Sequence, residues 1–146
     1  MPSDEIRTYE LSEKEREEVL QALGELLSRR DEVVFAVVFG GFLEARPFRD
    51  LDLGLYLARD VPAGRDIIEA ALYAEELAAE LSQALGLPMD VVVLNHAPPW
   101  LLYRALRGRV LLDRDPILRI RLYLMALEER ERWRMWRSLR PRHGRR

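Results

Sequence analysis

The sequence contains no cysteine, one lysine and one asparagine, and its only histidines are His96 and His143. The absence of cysteine excludes disulfide bonds and thiolate-ligated zinc, and two histidines are too few to build a zinc site of their own. We therefore expect no structural zinc. The scarcity of side-chain amides and the 33% content of charged residues favour a thermophilic source.

Long apolar runs are also missing, because no stretch approaches the roughly 20 residues that a membrane-spanning helix needs. Residues 1–15 are acidic and lack the apolar centre of a secretory signal. We therefore expect a cytoplasmic protein without membrane contact. A chain of 146 residues can bury one real hydrophobic core, so we predict a single domain over residues 1–146.

The net charge of −2 hides a marked asymmetry along the chain. Residues 1–100 carry 9 basic and 20 acidic side chains, whereas residues 101–146 carry 14 basic and 5 acidic ones. This asymmetry suggests a charged surface for a partner or a nucleic acid. The alternative is that the two halves pair with each other or with a second subunit, which leaves a homo-oligomer open.

The stretch from Val33 to Ala58 carries the strongest structural pattern. Its first part, Val33–Phe39, is rich in β-branched and aromatic residues and ends at Gly40 and Gly41. Such a run predicts a buried strand that enters a tight turn.

Alternating leucines predict a second strand from Leu51 to about Ala58. Because side chains alternate between the faces of a strand, the leucines share one face and Asp50 and Asp52 share the other. Two neighbouring carboxylates offer oxygen ligands to one or two divalent cations, of which Mg²⁺ is the natural choice. The alternative interpretation is a pair of exposed carboxylates on an edge strand.

The turn before these carboxylates is suited to phosphate. Without a Cβ atom, Gly40 and Gly41 let backbone N–H groups approach phosphate oxygens, and Arg46 and Arg49 would add charge-assisted contacts. Glycines in an ordinary turn and two surface arginines are the alternative. A phosphate cradle beside paired carboxylates is typical of phosphoryl or nucleotidyl transfer.

The residues FGG followed by RDLDLGLYL resemble the signature of the nucleotidyltransferase superfamily of the DNA polymerase β type. In that signature a third carboxylate comes from a later strand, and MDVVVLNHAP, with Asp90 near its start, is similar to this element. LLYRALRGRVLLDRD resembles the tail of the minimal nucleotidyltransferases, which are often encoded as antitoxins beside a HEPN-domain partner. The resemblance covers roughly Val33 to Asp115.

The resemblance implies an α/β fold of the α+β kind, with a small mixed β-sheet and packed helices, and the residues after Asp115 add a long C-terminal helix and a basic tail. It also implies transfer of AMP from ATP to a hydroxyl of a protein partner, a HEPN-type toxin. Asp50 and Asp52 would hold the Mg²⁺ that accompanies ATP. Asp90 would help to hold a second metal and act as the general base.

Three departures from the family pattern support an alternative function. Gly41 stands where the family has serine, Glu44 lies in the region of the usual Ala-Arg-Gly, and the spacer Phe42–Arg49 is short. Gly41 removes a hydroxyl that would contact a phosphate, Glu44 would repel a triphosphate, and the three changes together count against catalytic activity more than against the fold. A degenerate member that neutralises or scaffolds a partner by binding alone is therefore the second hypothesis.

Local patterns predict the remaining elements. We expect a loose arm over residues 1–11, a loop over 59–64 and a disordered tail over 140–146. We expect helices from Ser12 to about Arg30, from Arg65 or Asp66 to Leu85, from Trp100 to Leu106, and onward from Asp115-Pro116. Further strands are expected at Met89–Leu94, which is apolar on both faces and therefore assigned to the sheet interior, and at Arg109–Leu112.

Two of these helices carry apolar positions at helical spacing, which we assign to their inner faces. For the helix that ends at Gly86 they are Ile67, Ile68, Ala71, Leu72, Leu77, Ala78, Leu81 and Leu85. For the last helix they are Ile117, Ile120, Leu124 and Leu127.

Beyond Glu131, tryptophans alternate with arginines, notably at Trp133 and Trp136. Such a stretch can form a protein interface, cover the domain's own core or bind single-stranded nucleic acid. We favour the interface and place nucleic acid last, because the rest of the chain is acidic. We interpret His96, near the end of the third strand, as a loop residue rather than a catalytic base.

Overall fold

A computed structural model describes residues 7–44 and 46–141 of the chain. Its helices are α1 (Glu13–Ser28), α2 (Pro62–Arg65), α3 (Ile67–Leu85), α4 (Pro99–Leu106) and α5 (Pro116–Leu139). Its strands are β1 (Val33–Phe39), β2 (Leu51–Leu57), β3 (Met89–Val93) and β4 (Arg109–Asp113). Two short 3-10 turns, Gly40–Leu43 and Leu94–His96, follow β1 and β3.

The four strands form one sheet in the order β3-β2-β1-β4. β1 runs antiparallel to β2 and β4, whereas β2 and β3 are parallel. The predicted small mixed sheet with packed helices is therefore confirmed.

The position predicted for β3 is wrong, since β3 lies at an edge of the sheet and not in its interior. Met89, Val91 and Val93 pack into the apolar cluster on one face of the sheet, and Val92 packs into the cluster on the other. Because helices cover both faces of the sheet, this edge strand is apolar on both sides, and its sequence pattern is the same as that of an interior strand.

The sheet separates two apolar clusters. Leu51, Leu53, Leu55 and Leu57 are fully buried against α1 and α3, as the alternating pattern predicts. The opposite face carries Tyr56, which stacks on Phe35 with ring centroids 5.4 Å apart, and is covered by α4 and α5.

The helix boundaries follow their capping residues. Ser12 Oγ accepts a hydrogen bond from the Glu15 N–H at 3.1 Å, and Glu15 Oε1 accepts one from the Ser12 N–H at 2.8 Å, which is the predicted capping box. The Asp66 side chain caps α3, and the Asp115 side chain caps α5. Gly86, with a φ of 71°, ends α3 as expected.

The inner faces predicted for α3 and α5 are partly wrong. α3 buries Ala70, Ala74, Leu77 and Leu81, whereas Ile67, Ile68 and Leu72 are exposed. α5 turns Leu118, Leu122, Tyr123 and Ala126 inward and exposes Ile117, Ile120 and Leu124. Both helices carry apolar residues on more than one face, so the sequence period alone does not determine which face meets the sheet.

The connections differ from prediction at two further places. Tyr9 is held rather than loose, because its N–H donates to the Phe48 carbonyl at 2.7 Å and its own carbonyl accepts from the Phe48 N–H at 3.0 Å. The expected loop over residues 59–64 contains the start of α2. Residues 1–6 of the arm and 142–146 of the tail lie outside the described residues. Across the described ranges, no helix has the length and apolar character needed to cross a membrane.

Candidate metal and nucleotide site

Strand register brings three carboxylates together at one end of the sheet. Asp52 lies opposite Phe39 in the antiparallel β1–β2 pair and opposite Asp90 in the parallel β2–β3 pair. Asp50 immediately precedes β2. Asp50, Asp52 and Asp90 each offer a carboxylate oxygen, and these oxygens all lie within 4.8 Å of one another.

The electrostatics of this triad favour a cation. Burial, together with the charges of Asp50 and Asp90, raises the pKa of Asp52 to about 6. Burial and the charge of Asp90 also raise the pKa of Asp50, while Arg49 opposes this shift. Because three oxygen donors repel one another here, a hard divalent cation would both satisfy their lone pairs and relieve the repulsion. The donor set therefore fits a divalent metal.

Gly40 stands where the glycine turn meets the triad. Its φ of 79° is in the left-handed region, and a Cβ atom built on it would lie 2.3 Å from Asp52 Oδ2. The turn therefore packs directly against a metal-ligand candidate. Gly41 differs, because a Cβ atom there would have Phe48 Cβ as its nearest neighbour at 3.9 Å, so a serine would fit.

Arg104 of α4 is a basic residue at the site that the sequence does not reveal. Its Nη2 lies 3.5 Å from the position of a Cβ atom on Gly40, and its charge lowers the pKa of Asp52, opposing the effect of burial. Its guanidinium rests over the Phe39 ring, 5.6 Å from the centroid. Arg104 thus lies beside both the turn and the triad.

The two predicted arginines occupy different surroundings. Arg49 is exposed and close enough to Asp50 to lower its pKa. Arg46 forms an ion pair with Glu44 and leaves 72% of its side chain exposed. The charge of Arg46 is therefore already engaged, whereas that of Arg49 acts on the triad.

The family sequence model described as Polymerase beta, Nucleotidyltransferase matches residues 21–117, a span that contains the glycine turn and all three carboxylates. The chain belongs to this nucleotidyltransferase family. A comparison with curated protein sequences finds no significant match.

Solved structures share the fold of this nucleotidyltransferase at low sequence identity. A chain in the crystal structure of the toxin-antitoxin MntA-HepT has a TM-score of 0.61 at 17% identity, over 84% of this chain and 92% of that one. A chain in the complex of tri-AMPylated Shewanella oneidensis HEPN toxin with MNT antitoxin has a TM-score of 0.62 at 16% identity, with the same coverages of 84% and 92%. A toxin-antitoxin structure with AMP-PNP gives 0.59 at 18% identity, over 88% and 94%.

A buried arginine holds the segment between the glycine turn and Asp50 in this nucleotidyltransferase. The guanidinium of Arg16 donates to the carbonyls of Phe42, Arg46 and Leu11, the last two at 2.8 and 3.3 Å. It also lies between the rings of Phe42 and Phe48, with centroids 5.4 and 5.2 Å away. Nothing in the sequence distinguishes Arg16 from the charged residues around it in α1, since two of its three carbonyl partners, Phe42 and Arg46, lie 26 and 30 residues away.

The remaining candidates lie apart from the triad. His96 belongs to the turn after β3, and its Nε2 is buried without a hydrogen-bond partner among the described residues. Trp133 and Trp136 are 54% and 53% exposed on the last part of α5. Their exposure disfavours the interpretation that they cover the domain's own core and leaves a protein interface or nucleic acid as the alternatives.

Proposed function

We propose that this nucleotidyltransferase binds ATP with Mg²⁺ and transfers AMP to a hydroxyl of a HEPN-type protein partner, as the antitoxin of a toxin–antitoxin pair. The observation that carries the proposal is the triad of carboxylates within 4.8 Å at a glycine turn, in a chain of the nucleotidyltransferase family. Structures of the same fold include a complex with a tri-AMPylated HEPN toxin and one with AMP-PNP, which supports this choice of donor and acceptor.

Asp50 and Asp52 are assigned to hold the metal that accompanies the triphosphate, and Asp90 to help hold a second metal. Bound there, divalent cations neutralise charge on the attacking and leaving oxygens of an in-line displacement. The acceptor hydroxyl oxygen forms a bond to the α-phosphorus, the bond from that phosphorus to pyrophosphate breaks, and Asp90 accepts the hydroxyl proton.

The phosphates themselves are assigned to the turn and to nearby arginines. The backbone N–H groups of Gly40 and Gly41 are assigned to phosphate oxygens, because Gly40 has no Cβ atom between the turn and Asp52. Arg104 and Arg49 supply positive charge next to the triad, and Arg46 contributes less because Glu44 already pairs with it. Arg104 would then offset the hydroxyl that the chain lacks at Gly41.

Calorimetry of ATP with Mg²⁺ tests the proposal on the wild type, on Asp52→Asn and on Asp60→Asn, an exposed carboxylate in another loop. We expect about one nucleotide per chain for the wild type and Asp60→Asn, and no saturable binding for Asp52→Asn. The second step is AMP transfer from radiolabelled ATP to a purified HEPN-type protein. Absence of nucleotide binding by the wild type at millimolar ATP would overturn the proposal.

The second candidate function is neutralisation of the partner by binding alone. It is favoured by the missing serine at position 41, by Glu44 close to the turn, and by the exposed aromatic residues Trp133 and Trp136. If it holds, Trp133→Ala or Trp136→Ala abolishes control of the partner while Asp52→Asn leaves it intact. If the protein acts as an enzyme, Asp52→Asn should lose control of the partner.

A further inference from the structure

β3 leaves one side of its backbone unpaired. Within the described part of the chain, no strand lies beyond β3 in the sheet. The Leu51 N–H donates to the Pro88 carbonyl at 3.0 Å, so the backbone of Pro88 faces β2. Because backbone groups of successive strand residues alternate in direction, Asp90 and Val92 also face β2. The N–H and C=O groups of Met89 and Val91 and the N–H of Val93 therefore point outward from the open edge, whereas the C=O of Val93 begins the 3-10 turn at Leu94–His96.

A groove runs along this open edge. It has a volume of about 530 Å³ and lies between α3 and the start of α4. Alanines line its α3 side, and Ala97, Pro98 and Leu101 line the other side. Small side chains on one wall leave room for a further strand at the usual spacing of about 4.8 Å from β3.

The groove is continuous with the candidate active site. Asp90 lines the groove and also belongs to the carboxylate triad, so one end of the groove opens at the triad. A segment paired with β3 would pass directly beside the carboxylate that is assigned to the acceptor hydroxyl. This continuity indicates that the occupant is the acceptor and not an unrelated ligand.

The charge of the groove indicates the chemistry of its occupant. α3 contains four glutamates, at positions 69, 75, 76 and 80, and no basic residue. Glu75 lines the groove with Asp90. Among the residues that the structure describes, neither lysine nor arginine lines the groove, so an apolar groove whose two carboxylates are Glu75 and Asp90 is complementary to an extended segment that has apolar side chains and basic flanks.

We propose that the open edge of β3 binds an extended, basic-flanked segment of the protein acceptor as an added strand, which sets its hydroxyl-bearing residue beside Asp90. This proposal rests on the proposed function, because it names how the acceptor of AMP is recognised. Backbone hydrogen bonds from Met89, Val91 and Val93 supply affinity that is independent of sequence. The walls of the groove determine which side chains of the acceptor segment fit.

The test compares Val91→Pro, which removes an outward N–H, with Val91→Thr, which keeps the N–H and nearly the same shape. Proline is tolerated on an edge strand where the missing N–H faces outward, so the sheet should persist. Ala71→Arg, on an exposed position of the α3 wall, blocks the groove without changing the backbone of β3. Circular dichroism and binding of ATP with Mg²⁺ should match the wild type in all three variants.

The probe is a purified HEPN-type protein, titrated without ATP. We expect Val91→Pro and Ala71→Arg to lose at least about tenfold in affinity, and Val91→Thr to stay within about twofold. Hydrogen exchange at the Val91 amide should slow at least about tenfold when the partner binds the wild type. Unchanged affinity in Val91→Pro and Ala71→Arg, or an unprotected Val91 amide in the complex, would refute edge docking.

The two proposals fail in distinguishable ways. If the wild type transfers AMP and both groove variants transfer it equally well, the edge proposal is wrong while the enzyme stands. If no AMP is transferred but the Val91 amide is protected and the groove variants lose the partner, the edge is a docking site of a binding-only protein. A wild type that does not bind this partner at all overturns the edge proposal.

Discussion

Replacing Gly40 by alanine would insert a methyl group between the glycine turn and the carboxylate triad. At a φ of 79°, a residue with a side chain costs about 1–2 kcal/mol relative to glycine. The new Cβ would also lie 2.3 Å from Asp52 Oδ2, so the carboxylate must retreat by about 1 Å to reach an ordinary contact distance. The substitution therefore affects both the backbone and the position of a proposed metal ligand.

We expect Gly40→Ala to lower the free energy of unfolding by about 1–2 kcal/mol, measured by urea denaturation. We also expect the affinity for ATP with Mg²⁺ to fall at least about tenfold, measured by calorimetry. Mg²⁺ requires near-ideal octahedral geometry with oxygen ligands at about 2.0–2.1 Å, and a ligand displaced by about 1 Å cannot supply it.

Gly86→Ala is the matched control. Gly86 also has a left-handed backbone, with a φ of 71°, but a Cβ atom there meets nothing within 4 Å. It should lose a similar free energy of unfolding and keep its affinity for ATP with Mg²⁺. The reasoning fails if Gly40→Ala binds ATP as the wild type does, or if Gly86→Ala loses as much affinity as Gly40→Ala.

Three further predictions concern charged side chains. With a chelator present to remove divalent metals, Asp52→Asn should be more stable than the wild type by about 1–1.5 kcal/mol at pH 8 and equally stable at pH 4. A folded-state pKa of about 6, against an ordinary value of 3.8, corresponds to a free energy of about 3 kcal/mol. We reduce this figure because the carboxyl group is only half-buried and solvent screens its charge. The folded state binds the Asp52 proton more tightly than the unfolded state, so the stability of the wild type falls as the pH rises from about 4 to 6 and stays low at higher pH. Equal urea midpoints for the two proteins at pH 8 would contradict the prediction. Arg104→Ala should lower the affinity for ATP with Mg²⁺ at least about tenfold, and Arg46→Ala, whose charge is already paired, less than about threefold. The reverse order in calorimetry would count against the assignment of Arg104. Arg16→Met should lower the free energy of unfolding by about 2–3 kcal/mol, because three carbonyls lose a charged donor, while exposed Lys14→Met changes it by less than about 0.5 kcal/mol. A variant Arg16→Met as stable as the wild type in urea would contradict this.

Local signals predicted those parts of the fold that depend on neighbours in sequence. The capping box at Ser12, the glycine that ends α3 and the proline that begins α5 each act within one helical turn, and all three are observed. The alternating leucines of β2 also define their own buried face, because a period of two leaves only two choices. The bounds of β1 and β2 agree with prediction to within one residue.

Contacts between distant segments account for what the sequence did not predict. Arg104 reaches the triad only because α4 packs beside the end of β1, and Arg16 donates to the carbonyls of Phe42 and Arg46, which lie 26 and 30 residues away. The helical spacing of Ile117, Ile120 and Leu124 predicts that they face the core, but they are exposed and a second apolar set on α5 packs inward. Periodicity identifies such faces but does not choose between them.

The triad itself argues for a cation rather than for a purely structural role. No arginine, lysine or histidine in the described ranges forms an ion pair within 4 Å of Asp50, Asp52 or Asp90, as the observed pairs all lie elsewhere. Arg49 and Arg104 oppose the rise in carboxyl pKa only in part, since both Asp50 and Asp52 keep raised values. Asp50 and Asp52 left in this state destabilise the metal-free fold at neutral pH, and a bound divalent cation removes that penalty. The same Asp52→Asn variant therefore separates the two candidate functions. In a binding-only antitoxin, the Asp52→Asn variant would be more stable and would still control its partner. In the enzyme, the variant would be more stable but would no longer control its partner.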